Sequence, residues 1–146
     1  MESIGKLNAA IYRNLQSILN AKLKELPIRS GQHDFLYVIS LYEGITQKEL
    51  SAYLHVGKAT TAKACKSLAG HGYIRMEKDE KDRRFERLYL TEHGRAVAPL
   101  IHETFRELVN LTTRDLSPEE AETAVRLLRK ILATLTKEKQ STGGPD

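Results

Sequence analysis

The chain has little with which to do covalent or metal chemistry. It carries one cysteine, so no internal disulfide can form, as suits a reducing compartment. Its five histidines, at positions 33, 55, 71, 93 and 102, are scattered, with no His-x-x-x-His pair and no cysteine cluster to give a zinc ion its ligands. No glycine-rich phosphate loop, Gly-x-Ser-x-Gly elbow or nucleophile set is present, so an enzyme would have no constellation to work with. No stretch approaches the unbroken apolar run of a membrane span, and the opening MESIGKLNAAIY lacks the basic, apolar and cleavage segments of a signal peptide. The expectation is a cytoplasmic protein with no membrane partner, no metal and no cofactor. With 146 residues, 40% of them hydrophobic and 29% charged, the chain can bury one core and hardly two.

What is present is a charged hairpin in the middle of the chain. Tyr73 to Glu77 alternates Ile74 and Met76 on one side with Tyr73, Arg75 and Glu77 on the other, and Glu86 to Leu90 alternates in the same way around Leu88 and Leu90. Between them Lys78, Lys81, Arg83 and Arg84 interleave with Asp79, Glu80 and Asp82. A turn made only for solubility more often uses Asn-Gly or Asp-Gly. Cations held out on a two-stranded ribbon have the reach to enter a DNA groove, and the hairpin reads as the wing of a DNA-binding domain. A solvated hairpin stays open on these residues alone.

The preceding segment, Thr46 to Ile74, predicts two short helices separated by a tight turn at His55, Val56 and Gly57. Thr46 and Glu49 have the spacing of a capping box, which fixes the register of the first helix. Leu50 and Leu54 supply its inward face, and Thr61, Ala64, Cys65 and Leu68 do the same for the second. The opposite face of the second helix holds Lys58, Ala59, Thr60, Ala62, Lys63 and Lys66, with cations, a hydroxyl and no acid. Such a face suits a major groove: lysines meet phosphates or guanine edges, and small side chains permit close approach. Gly72 then stands in the usual helix-ending glycine position. From Thr46 to Leu90 there are ten Lys and Arg against six acids, and the remainder is balanced, so the whole net charge of +4 lies in this unit.

These residues resemble a family. Two helices, the run KATTAKACKSLAGHGYIRM, a charged turn containing Asp79, Asp82, Arg83 and Arg84, and then RLYLTEHG are similar to the multiple antibiotic resistance regulator (MarR) family of winged helix-turn-helix transcription factors. The resemblance covers nearly the whole chain. It is most specific from Gly72-Tyr73-Ile74, through Asp79, Asp82 and Arg84, to Leu90, Thr91 and Gly94. It implies a homodimer on a palindromic double-stranded DNA operator, with recognition helices in successive major grooves and a wing arginine in each adjacent minor groove. It also implies that small molecules, often aromatic acids, or oxidants loosen the DNA. The implied contact set is Lys58, Ala59, Thr60, Lys63 and Lys66 on the helix and Lys81, Asp82, Arg83 and Arg84 on the wing. Of these, Asp82 braces an arginine, with Arg84 the favoured partner and either arginine open as the one in the groove. Cys65 sits at an inward position, where packing is a better account than oxidant sensing.

The flanks read as amphipathic helices. Ile4, Leu7, Ile11, Leu15, Ile18, Leu19, Leu23 and Leu26 recur at helical spacing over residues 2–26 until Pro27 ends the run. Thr91 caps a helix through Val97, Ile101, Phe105, Leu108 and Leu111, with Pro99 inside it as an expected kink. Ser117-Pro118-Glu119-Glu120 opens the last helix, whose stripe is Ala121, Val125, Leu128, Ile131, Leu132 and Leu135. The expected architecture is mainly α with a small β-wing: a winged helix-turn-helix domain over about 31–91, flanked by N- and C-terminal dimerisation helices over about 2–26 and 92–139, and a disordered tail over 140–146. An effector pocket, where the resemblance places one, would draw on Tyr12 and Arg13 of the first helix and His33 and Tyr37 of the second. An arginine with tyrosines can hold an aromatic carboxylate, and the same four residues also fit an ordinary domain boundary. The expected function is a homodimeric transcriptional repressor of neighbouring genes. A winged-helix adaptor that never binds DNA is the alternative, since fold does not settle function.

Overall fold

The computed structural model describes residues 2–29 and 31–143. Among them are six helices and two strands: α1 (Ile4–Lys22), α2 (His33–Leu41), α3 (Gln47–Leu54), α4 (Lys58–Gly70), β1 (Ile74–Lys78), β2 (Glu86–Leu90), α5 (Glu92–Thr113) and α6 (Pro118–Ser141). Two compact units divide the chain, one ending at Arg106 and the other beginning at Glu107, so the boundary falls inside α5. No helix among the described residues is long and apolar enough to cross a membrane.

Side-chain caps fix the starts of three of the five helices that begin in the first unit. Ser3 caps α1 by accepting from the Lys6 N–H at 3.1 Å. Thr46 accepts from the Glu49 N–H at 3.1 Å while the Glu49 carboxylate accepts from the Thr46 N–H at 3.0 Å, which is the expected capping box. The Thr46 N–H, and then the Thr46 hydroxyl, both donating to the carboxylate, hold the Glu49 carboxyl below its ordinary pKa. Thr91 Oγ1 accepts from the Gly94 N–H at 3.0 Å at the head of α5. At the end of α4 the Gly72 N–H donates to Ala69 O and the Tyr73 N–H to Leu68 O, both at 3.0 Å, with Gly72 at φ 80°. That is a Schellman closure, and it needs a residue that tolerates the left-handed conformation.

The wing is the antiparallel pair β1–β2 in the register Ile74↔Leu90, Met76↔Leu88 and Lys78↔Glu86. Residues 44–46 flank β2 on its other side: the Gly44 N–H donates to Leu88 O at 2.8 Å, the Leu88 N–H to Ile45 O at 2.9 Å, and Thr46 bridges Arg87. Ile74, Leu88 and Leu90 are buried, as are Ile39 of α2, Leu50 of α3 and Leu68 of α4, the helices that the two strands pack against.

Three expectations need correction. Tyr73, assigned to the outward side of the first strand, is buried. It precedes β1, within the Schellman closure, and its ring stacks on His93 at 4.7 Å between centroids. Helix α1 ends at Lys22, before Pro27, because Leu23, Leu26 and Ile28 are all core residues and the chain must bend to bury them. Gln140 and Ser141, given to the tail, continue α6, since neither residue breaks a helix and the first helix-breaking residue is Gly143. Residues 144–146 lie outside the described ones.

In the second unit Ser117 and Glu120 form a capping box on α6, with Pro118 at the first helical position. No residue of α6 is buried, and Val125, Leu128, Leu132 and Leu135 of the expected stripe are exposed. In α5 Pro99 stands inside the helix and cannot donate a hydrogen bond to Arg95 O.

Candidate nucleic-acid interface

Helix α4 divides as its sequence requires. Thr61, Ala64, Cys65 and Leu68 are buried, while Lys58, Ala59, Thr60, Ala62, Lys63 and Lys66 are exposed. Its N-cap is Gly57, which offers no side-chain acceptor, and its first turn holds no acid. The positive end of the helix is therefore not neutralised by α4's own cap or first-turn side chains.

The orientation of α4 against α3 depends on the turn between them. His55 adopts φ 56° and ψ 42°, the left-handed conformation. The Val56 N–H donates to Ser51 O at 3.1 Å. Ser51 Oγ donates to Thr61 Oγ1 at 2.6 Å, and Thr61 Oγ1 in turn donates to Gly57 O at 3.1 Å. A hydroxyl pair, Thr61 buried and Ser51 half-buried, thus joins the two helices, and both members are satisfied.

The wing tip is a built turn. Asp79 Oδ2 accepts from the Lys81 and Asp82 N–H groups at 3.1 and 2.9 Å, and the Asp79 N–H donates to Phe85 O at 2.9 Å. Asp82 then grips Arg84: Arg84 Nε donates to Oδ1 at 2.9 Å and Nη2 to Oδ2 at 2.7 Å, while the Arg84 N–H also donates to Oδ1 at 3.1 Å. The Arg84 guanidinium holds the Asp82 carboxyl below the usual carboxylate range. The Arg84 side chain is 85% exposed and Asp82 31%, so the aspartate is the inner partner of an outward-facing arginine. Arg83 and Lys81 are exposed, and among the described residues neither side chain has a hydrogen-bond or ion-pair partner.

Helix pair and wing share a cleft of about 480 Å³ lined by Thr46, Gln47, Lys48, Ser51, Lys58, Arg84, Phe85 and Glu86. Three elements each contribute a cation to it: Lys48 from α3, Lys58 from α4 and Arg84 from the wing. Gln47 and Lys48 are absent from the contact set read in the sequence. A signal exists for Lys48, which sits in the first turn of α3 on the side away from the inward Leu50 and Leu54; Gln47 shares their face, half-buried, and its Nε2 donates to Met76 Sδ at 3.7 Å. Thr60, Lys63 and Lys66 occupy the exposed face of α4, and Lys81 and Arg83 the wing tip.

The four effector candidates fall in different settings. Tyr12 and Arg13 are exposed on α1. His33 is fully buried at the start of α2, and neither ring nitrogen has a hydrogen-bond partner; burial, and then the nearby Arg29 charge, lower its pKa. Tyr37 stacks on Phe105 at 4.5 Å and meets the edge of His102 at 5.3 Å. Among the described residues no group of three or more His, Cys, Asp or Glu could hold a metal ion.

Cys65 is fully buried, and burial followed by the Glu86 charge pushes its thiol up to about 12. Almost no thiolate exists at neutral pH, so a disulfide reagent is expected to leave Cys65 untouched in folded protein and to react fully in denaturant. Rapid modification of the native protein would remove Cys65 from the core.

Comparison with known proteins gives one result. The MarR family model matches residues 26–84. The chain is 33% identical over 123 residues to the HTH-type transcriptional regulator YybA of Bacillus subtilis (strain 168), covering 83% of this chain and 81% of that protein. It is similar to the crystal structure of a MarR transcriptional regulator from Methanosarcina mazei Go1, with 33% identity, a TM-score of 0.76, and 91% and 96% of the two chains covered. It is also similar to a MarR family regulator from Listeria monocytogenes complexed with a 26mer DNA, with 25% identity, a TM-score of 0.86, and 100% and 99% covered.

Proposed function

Since this chain belongs to the MarR family of transcriptional regulators, we propose that it is a homodimeric repressor that binds a palindromic operator beside the genes it controls. The observation that carries this reading is the convergence of Lys48, Lys58 and the braced Arg84 on one cleft, next to the acid-free face of α4. In this reading α4 enters the major groove, the first turn of α3 meets the phosphate backbone, and the wing reaches the adjacent minor groove. The dimer is supported by the uncovered apolar residues of α6, which a single chain leaves in water. An aromatic acid-like effector is part of the same proposal. Arg13 would pair with its carboxylate and Tyr12 and Tyr37 would contact its ring, while His33, fully buried, would line the site only once a bound effector opened it.

Affinity for duplex DNA is expected to fall steeply with salt, with a log–log slope of roughly −0.9 for each phosphate neutralised. Mobility shifts on genomic fragments containing the gene and its neighbours, run across a salt series, measure it. Absence of binding to every fragment at low salt would support the adaptor reading. Light scattering at micromolar concentration tests the dimer, and a stable monomer would remove the palindromic operator with it.

A further inference from the structure

Arg87 belongs to the excess of cations in the middle segment, yet its guanidinium is committed to the protein. Nε donates to Asp79 Oδ1 at 2.6 Å and Nη1 donates to Gly44 O at 2.8 Å. Asp79 is equally committed. One of its oxygens takes Arg87 while the other collects the two N–H groups that shape the wing tip. Gly44 lies two residues before the Thr46 cap, in the segment paired with β2. A single side chain therefore spans from the turn at the wing tip to the root of α3, and α3 is tied to α4 through Ser51 and Thr61.

We propose that Asp79 and Arg87 form a clamp that sets the angle of the wing tip to the reading helix, so that both residues govern DNA affinity without touching DNA. The proposal rests on the DNA-binding reading above. A half-exposed ion pair contributes little to stability by itself: the Arg87 side chain is 40% exposed and Asp79 17%. A planar fork pinned to acceptors on two different elements instead fixes direction, which a flexible ammonium does not. A hairpin anchored only at its base would let Arg84 wander at the tip, where small angular changes become the largest displacements. The mutual hydrogen bond holds the Asp79 carboxyl below its ordinary pKa, so the clamp is intact at neutral pH.

Two substitutions separate a clamp from a charge. Arg87→Lys keeps the cation and loses the fork. Asp79→Asn keeps an oxygen for the turn N–H groups, loses the acceptor for the guanidinium and removes a negative charge from a DNA-facing domain. Each is expected to weaken binding about tenfold at fixed salt, and the double variant to be no weaker than either single one. Hydroxyl-radical protection should disappear from the minor groove at the flanks of the site, while major-groove guanines stay protected from methylation and the melting temperature is unchanged. Parent-like binding by Arg87→Lys would make Arg87 a simple phosphate cation, and tighter binding by Asp79→Asn would make Asp79 a simple repulsive charge; either overturns the clamp. Loss of flank and central protection together, with a lowered melting temperature, would show a general structural role and overturn it as well. If the parent protein binds no duplex at low salt, the DNA reading falls and takes the clamp with it.

Discussion

Asp82→Ala binds duplex DNA about tenfold more weakly than the parent in the expected outcome, although it deletes a negative charge from a surface proposed to face a polyanion. Coulomb's law alone gives the opposite sign. The geometry decides between them, because Asp82 takes the Nε–Nη2 edge of the Arg84 guanidinium at 2.7–2.9 Å and the Arg84 N–H at 3.1 Å. Without it an arginine that is 85% exposed must be ordered at the moment of binding, and the lost side-chain entropy, about 2 kcal/mol for an arginine at most, is charged to the complex. Replacing Arg83 and Arg84 together by alanine should weaken binding to every sequence and make the salt slope shallower by up to about two units. Substituting Thr60 or Lys63 should instead cost about 1–3 kcal/mol at particular base pairs only. Anisotropy titrations with one operator and its single-base variants distinguish the two patterns. Tighter binding by Asp82→Ala would reduce Asp82 to a solvated wing residue. The sign of the acid response follows: the Asp82 carboxyl lies below its ordinary pKa, so the brace holds above that range and is lost as pH falls through the lowered value.

Gly94→Ala is expected to destabilise the chain by about 3 kcal/mol or more, a large part of the roughly 5–15 kcal/mol that holds a domain together. Helix propensity predicts the reverse, since alanine in place of glycine within a helix is worth about 1 kcal/mol in its favour. Contact with the neighbouring backbone overrides propensity here. A Cβ on Gly94 would stand 2.1 Å from Tyr73 O, a main-chain atom that also accepts the Thr91 N–H at 3.0 Å and so cannot retreat freely. Relieving the clash means lifting the first turn of α5 from the entrance of β1, opening the region that buries Tyr73. Thermal melts followed by circular dichroism, at matched protein concentration, should show a drop on the order of 10 °C. An unchanged or higher midpoint would mean that the close approach does not exist in solution.

Features decided within a few residues are legible in the sequence itself. The Thr46–Glu49 and Ser117–Glu120 boxes announce themselves by spacing, and the buried side of α4 follows from a period of 3.6. The braced Asp82-x-Arg84 pair comes from family resemblance, and the geometry bears it out. What escapes depends on distant partners. The burial of Tyr73 is set by His93 and the head of α5, and the end of α1 by a core that Leu23, Leu26 and Ile28 must share. Between Lys78 and Arg87 cations and acids alternate too densely for sequence to assign pairs, so Arg87 enters only as one of the ten cations in the unit's charge. Only the fold brings Gly44 within its reach. Lys48 escapes for a related reason: its meeting with Lys58 and Arg84 is a product of how three elements close on one cleft.

The sheet arrangement bears on how such a protein survives at high concentration. Residues 44–46 cover one side of β2 and β1 covers the other, so among the named strands β1 forms the open rim of the sheet. An open rim is a template for a strand from another molecule, and a long apolar one recruits copies into aggregates. This rim is five residues long and presents Arg75, Glu77 and Lys78 to solvent, with Arg75 paired to Glu77 at 2.6 Å and lying over the Tyr89 ring. An incoming strand would have to bury or displace those charges. The exposed hairpin proposed to reach DNA is therefore guarded against sticking to its own kind, and the guard uses residues that lie outside the proposed DNA contacts.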